Sequence, residues 1–284
     1  MPKYELYHAK ANATVAAKKK AKKPYNITIR FLGGLTERQK SAFKKAADRW
    51  TKVIVGDLPP VMIDGEKIDD ILILAEGAAI DGPGRILGQA GPTHLRPASA
   101  GTAAFLPAKG QMQFDSADLE QMEQNGTLDD VIAHEMGHVL GIGTIWAQRK
   151  LLEGAGTSNP TFTGASAMHE YGVLRGSAIP LPVPVENTGG PGTRDSHWRE
   201  TLFRAELMSG FIAAAGNPLS RMTAACLQDI GYLIDIDASE PYGLPNLTEA
   251  AERGLLVAHA LAPHDLGTML PLLPTVLPPD SLQP

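Results

Sequence analysis

A single cysteine, Cys226, in 284 residues excludes an internal disulfide framework, and its place on an apolar helical face reads as a small buried hydrophobe. No run of about 18 apolar residues is available to span a bilayer, and no N-terminal apolar segment resembles a secretory signal. A strong excess of one charge is also lacking. The formal net charge is −5 and the pI about 5.9, which speaks against bulk nucleic-acid binding and against attraction to anionic membranes. The glycine-rich stretch from Gly82 to Gly91 lacks the Lys-Ser/Thr ending of a phosphate loop, so nucleotide binding finds no support. Sequons at Asn12, Asn26, Asn125 and Asn246 read as chance matches in the absence of a signal. The expected location is cytoplasmic by default, with leaderless export as the alternative.

Glycine (29) and proline (22) are plentiful, predicting long ordered loops around a modest skeleton. Residues 1–24, with Lys18, Lys19, Lys20, Lys22 and Lys23 ahead of Pro24, predict a basic, disordered tail. Alternation at Ile27, Ile29 and Phe31 predicts a first strand, and Thr36 with Gln39 a capping box that opens a helix. Ile71–Leu74 reads as a buried strand. Thr102–Leu106 and Gln111–Phe114 read as short strands joined by Pro107 to Gly110, and Ser116 to Gln124 as a short helix. Within the aperiodic stretch 146–196 only Ser166–Leu174 looks helical. A helix follows Pro218 and closes at Gly231. Leu247–Ala260 is a further helix candidate, and Pro271 to Pro284 is a proline-rich end with no evident need to pack.

The organising stretch is Asp129 to Gly141, which contains His134-Glu135-Met136-Gly137-His138. Histidines four apart share one face of a helix, so both imidazoles reach one metal ion. Three protein ligands leave a fourth zinc position open for water, whose pKa the metal lowers to about 7. Glu135 can take the proton of that water. Leu128, Ile132, Met136, Val139 and Leu140 fall opposite the histidines, so one side packs while the other faces a cleft. Thr127 is the expected N-cap, and Gly141 suits the left-handed residue that ends such a helix.

Two histidines, His169 and His197, follow at a distance that suits a third ligand. The common metzincin pattern places its third ligand three residues after the glycine, and Thr144 stands there. Asp195-Ser-His197-Trp198-Arg-Glu200, followed by Glu206-Leu207-Met208-Ser209-Gly210, closely resembles the leishmanolysin family of metzincin zinc endopeptidases. In that family a large insertion separates the glycine from a His-Trp third ligand, and a Glu-Leu-Met turn passes beneath the metal. The resemblance runs from about Ile27 to Tyr232 and is sharpest at 134–141 and 197–210.

It implies an α+β, metzincin-like fold with a small twisted mixed sheet, an active-site helix, a large loop insertion and a C-terminal helical lobe. The implied catalytic domain spans 25–240, with the insertion at 146–196 and a Pro-rich extension at 241–284. One catalytic Zn2+ would be held by His134, His138 and His197, with Glu135 as general base and acid and Met208 and Gly141 in support. Peptide or protein substrates would pair with an edge strand, for which Thr102–Leu106 is the candidate. With one cysteine, the chain departs from the disulfide-rich relatives and resembles a bacterial-type short form without their cysteine-rich C-terminal domain. Asp195 and Glu206 flank the third ligand and would either orient it or be solvated. The competing readings are a non-catalytic, zinc-stabilised binding or adhesion module, and an enzyme that uses His169 in place of His197. Retention of Glu135 speaks against the first, since a structural site has no use for a base.

Overall fold

In the computed structural model, residues 3–284 are described except for 83, 85–86, 191, 213–214 and 247–268. The helix expected at Leu247–Ala260 lies outside the described residues. The chain is α+β, built on a seven-stranded mixed sheet. Its N-terminal part supplies β1 (Glu5–Lys10), α1 (Ala13–Lys18), β2 (Asn26–Gly33) and α2 (Glu37–Val53). The hairpin β3 (Val61–Ile63) and β4 (Glu66–Ile68) follows, then β5 (Ile71–Ala78), β6 (Gly88–Leu95) and β7 (Pro107–Asp115). Two helices come next, α3 (Ser116–Asn125) and α4 (Leu128–Val139). The insertion holds a small sheet of β8 (Leu152–Glu153), β9 (Thr161–Phe162) and β10 (Val183–Pro184), with α5 (Ala165–Leu174). The chain then forms α6 (Glu200–Phe203), α7 (Arg221–Ile230), β11 (Met269–Pro271) and β12 (Thr275–Val276). No helix among the described residues is long and apolar enough to cross a membrane.

Strands lie in the order β1-β2-β5-β7-β6-β11, with β12 also on β6. β2, β5 and β7 run parallel, β1 is antiparallel to β2 and β6 antiparallel to β7, and β11 and β12 run parallel to β6. The alternation in β2 turns Ile27, Ile29 and Phe31 toward α2, where Phe31, Phe43 and Phe114 meet edge to face at about 6 Å. α2 opens with the predicted capping box between Thr36 and Gln39. Its Trp50 is fully buried and donates Nε1–H to the Ala133 carbonyl at 2.9 Å, which fixes α2 against α4. The opposite face of the sheet carries a smaller cluster of Val61, Ile63, Ile68, Leu72, Ala108 and Leu277.

Three expectations are corrected. Residues 1–24 are not a disordered tail over the described part: β1 pairs along its whole length with β2, and Asn12 caps α1 through Thr14 and Val15 N–H groups. An edge strand held by main-chain bonds needs little apolar patterning, and the lysines follow it in a short helix and turn. Second, Thr102–Leu106 is no strand. Gly101–Ala103 forms a 3-10 turn and Phe105 has φ +63°, which is incompatible with an extended ladder. The strand begins at Pro107 and absorbs the supposed linker. Third, the proline-rich end does pack, since β11 and β12 line β6 and Leu277 is buried beneath the sheet.

Candidate active site

α4 is buried on nearly every side, with only Asp129 of its residues outside the interior. Thr127 stands at its N-cap position but makes no side-chain bond, because φ −93° and ψ −8° place it in the helical region. Its carbonyl instead accepts from Asp130 and Val131 N–H. Asp130 ties the helix start to its surroundings, accepting from Arg49 at 3.2 Å and from Gly216 N–H at 2.6 Å. At the other end Gly141, φ +110°, turns the chain as expected. Two residues on, Gly143 has φ +76°, and a Cβ there would stand 2.0 Å from the Ser196 carbonyl oxygen. Only glycine lets the loop before α6 close over the end of α4 and deliver His197.

The three histidines converge there. Their Nε2 atoms lie 2.9 to 3.1 Å from one another. Each Nδ1 faces a main-chain carbonyl: Leu207 at 2.6 Å from His134, Ile142 at 2.8 Å from His138, and Thr193 at 2.9 Å from His197. A carbonyl can only accept, so Nδ1 carries the proton and Nε2 presents its lone pair. Burial depresses the pKa of His134 to about 3, that of His138 to about 4 and that of His197 well below the usual range, so all three rings are neutral. Three lone pairs aimed into one space repel unless a cation sits between them. Zinc–nitrogen bonds of 2.0–2.1 Å in tetrahedral array would space the nitrogens by roughly 3.3 Å, close to what is seen. The residues therefore fit a metal ion.

Glu135 lies beside them, 3% exposed, bordering the same cavity of about 280 Å³. Burial raises its pKa to about 8. A divalent cation on the neighbouring imidazoles would draw it back down. His169 is exposed on α5 and takes no part in the cluster.

Residues 103–243 match the family model of peptidase M8, leishmanolysin. The chain is a leishmanolysin-like metallopeptidase. The matched span runs from the turn before β7 past α7, and contains α4, His197 and Met208. No curated protein matches the chain. Leishmanolysin-family peptidases are zinc-dependent, and the three-histidine group is a possible site for that ion.

In this leishmanolysin-like centre the groups that orient the histidines differ from those expected. Glu206 is fully buried but does not touch His197. Its carboxylate accepts from Met208 N–H at 2.6 Å, Ser220 Oγ at 2.6 Å, Ser220 N–H at 3.2 Å and Thr223 Oγ1 at 2.5 Å. It clamps the turn at Met208 to the start of α7. Asp195 accepts from Gly156 N–H at 3.0 Å and is likewise turned away. Met208 is buried against Gly137 and Trp50, under the α4 segment that carries both histidines. Trp198 fixes the His197 loop by stacking on Trp146 at 4.8 Å and donating to Thr223 Oγ1 at 2.8 Å. The three carbonyl tethers were beyond sequence reading, because every residue has a carbonyl and only the fold says which one is aimed.

Proposed function

We propose that the chain is a zinc-dependent endopeptidase of the metzincin type, with His134, His138 and His197 holding one ion and Glu135 acting on water. The observation that carries this reading is the convergence of three neutral Nε2 lone pairs beside a buried carboxylate that no residue among those described neutralises. When bound there, zinc supplies Lewis acidity and lowers the pKa of a water to about 7. Glu135 would be the residue that takes up a proton from water in the cavity and returns it to the leaving amine. The carbonyls of Leu207, Ile142 and Thr193 keep the imidazoles in the ligating tautomer throughout. An extended substrate would lie along β6, the strand that borders the cavity through Ala90, rather than along Thr102–Leu106.

The test is Glu135→Gln, which preserves size but cannot accept a proton. Peptide cleavage should fall by about 10²–10⁴-fold. Zinc content should stay at that of the wild type, because all three imidazoles remain. Equal cleavage by both proteins would sink the catalytic reading and leave a zinc-holding binding module as the alternative.

A further inference from the structure

β6 ought to be the free edge of the sheet beside the catalytic cavity, yet the chain's own C-terminal part lies on it. Met269–Pro271 pairs in parallel with Gly88–Ala90, and Thr275–Val276 with His94–Leu95, in the same register offset. Pairing lapses across Leu272, Leu273 and Pro274, opposite Gly91 to Thr93. Pro92 and Pro274 both fall in that gap, and neither has an N–H to give. The unpaired stretch crosses the site: Leu272, Leu273 and Pro274 line the same cavity as His134, Glu135 and His197.

What holds this segment lies beyond the cavity. Leu273 is 94% exposed, so burial over the site does not fix it. Leu277, by contrast, is buried in the cluster beneath the sheet, and its N–H donates to the Leu95 carbonyl at 2.9 Å. Leu282 bridges to Val61, and Gln283 N–H donates to the Pro60 carbonyl at 2.8 Å. Among the described residues, the segment is thus anchored beyond Val276 and only intermittently laddered where it passes the histidines.

We infer that residues 269–277 form a self-inhibitory strap, which occupies the β6 edge that a peptide substrate must use and is peeled back before cleavage; the inference rests on the peptidase reading above. An extended peptide needs the edge N–H and C=O groups of β6, and β11 and β12 already engage them. The two cannot lie on β6 together. The gap at Pro92 and Pro274 weakens the strap where it must open, while the Leu277 anchor keeps the released segment close enough to return.

A disulfide lock on the full chain tests this. Gln89 and Leu270 are register partners, and neighbouring strands lie about 4.7–4.9 Å apart, within the Cα range a disulfide accepts. Cys226 is buried and stays out of the exchange. In Q89C/L270C the oxidised form should cleave a quenched peptide about tenfold more slowly than the reduced form, because only the open fraction is competent. Each single-cysteine variant should be indifferent to reductant. In a second variant, Leu277→Asp should loosen the anchor and raise the rate above wild type at equal zinc content. Equal rates in the oxidised and reduced double variant, with a turnover that Glu135→Gln abolishes, would overturn the strap and leave the peptidase intact. No turnover by any zinc-loaded form, including reduced Q89C/L270C and Leu277→Asp, would overturn the peptidase reading and the strap's role with it.

Discussion

Gly137 sits between His134 and His138, and Gly137→Ala is expected to destabilise the protein although alanine is the better helix former. On propensity alone the change should stabilise α4 by about 0.5–1 kcal/mol. Packing opposes it. A Cβ at 137 would stand 2.6 Å from the Met208 sulfur, 2.9 Å from Trp50 Cζ2 and 3.0 Å from Met208 Cε. Trp50 cannot rotate away, because it is fully buried and its indole N–H is held by the Ala133 carbonyl at 2.9 Å. Met208 is flexible and must yield, but it follows Leu207, whose carbonyl holds His134 Nδ1 at 2.6 Å. Overpacking of this kind costs about 1–3 kcal/mol. With contacts of 2.6 to 3.0 Å on two buried side chains the cost falls in the upper part of that range and exceeds the helical gain, leaving a net loss of about 1–2 kcal/mol, or a Tm lower by about 2–8 °C for a chain this long.

Zinc affinity should weaken in step, since the strain is relieved through the turn that orients His134. Calorimetric unfolding and zinc stoichiometry on the same preparations read both effects. The double variant Gly137→Ala/Met208→Ala should recover part of the clash cost, because the new methyl then enters space the methionine has left. A Tm equal to or above wild type in the single variant, with full zinc, would refute the packing argument.

Glu206→Ala leaves four donors around a buried site without their acceptor and should cost about 3 kcal/mol or more in chemical denaturation. A loss under about 1 kcal/mol would show that the turn does not depend on this clamp. His197→Ala should lose zinc during dialysis, whereas His169→Ala, on the exposed face of α5, should keep it and shift stability by no more than about 0.5 kcal/mol. The metal-free protein should weaken as pH falls below about 6.5, because unfolded histidines bind protons that buried His134 and His138, with pKa values of about 3 and about 4, refuse. At pH 5 the loss is about 2 kcal/mol for each of the two, so thermal melts that are flat between pH 7 and 5 would contradict neutral burial.

The pairing of His134 and His138 on one face was legible because its geometry is local. Spacing of four and an apolar opposite face are set within α4 itself, whatever the rest of the chain does. His197 comes together with His138 across 59 residues of sequence, and only its motif company separated it from His169. The helices α2 and α3, the buried strand β5 and the helical stretch in the insertion were legible for the same local reason: their burial periodicity is written in their own residues.

The strand misplaced at Thr102–Leu106 shows where local reading fails. β6 is Gly-Gln-Ala-Gly-Pro-Thr-His-Leu, with no apolar alternation, and it reads as a loop. Of its two glycines, Gly88 is a consequence of crowding, not of flexibility. A Cβ on Gly88 would stand 1.9 Å from the Gln113 carbonyl oxygen of the neighbouring strand, and Gly88 has φ +156°. Gly110 of β7 is explained from the other side, since a Cβ there would meet Val139 Cγ1 of α4 at 2.4 Å. These two glycines let β6 lie close on β7, and let the C-terminal end of α4 lie close on the sheet. That closeness brings His138 and Glu135 to β6, whose Ala90 borders the same cavity. Gly88, which helps to spoil the strand signature of β6, is thus also a residue that lets the strand lie beside the histidines. A bulky substitution at Gly110 would widen the gap between α4 and β6, and with it the distance between a bound backbone and the site, without altering any residue that touches either.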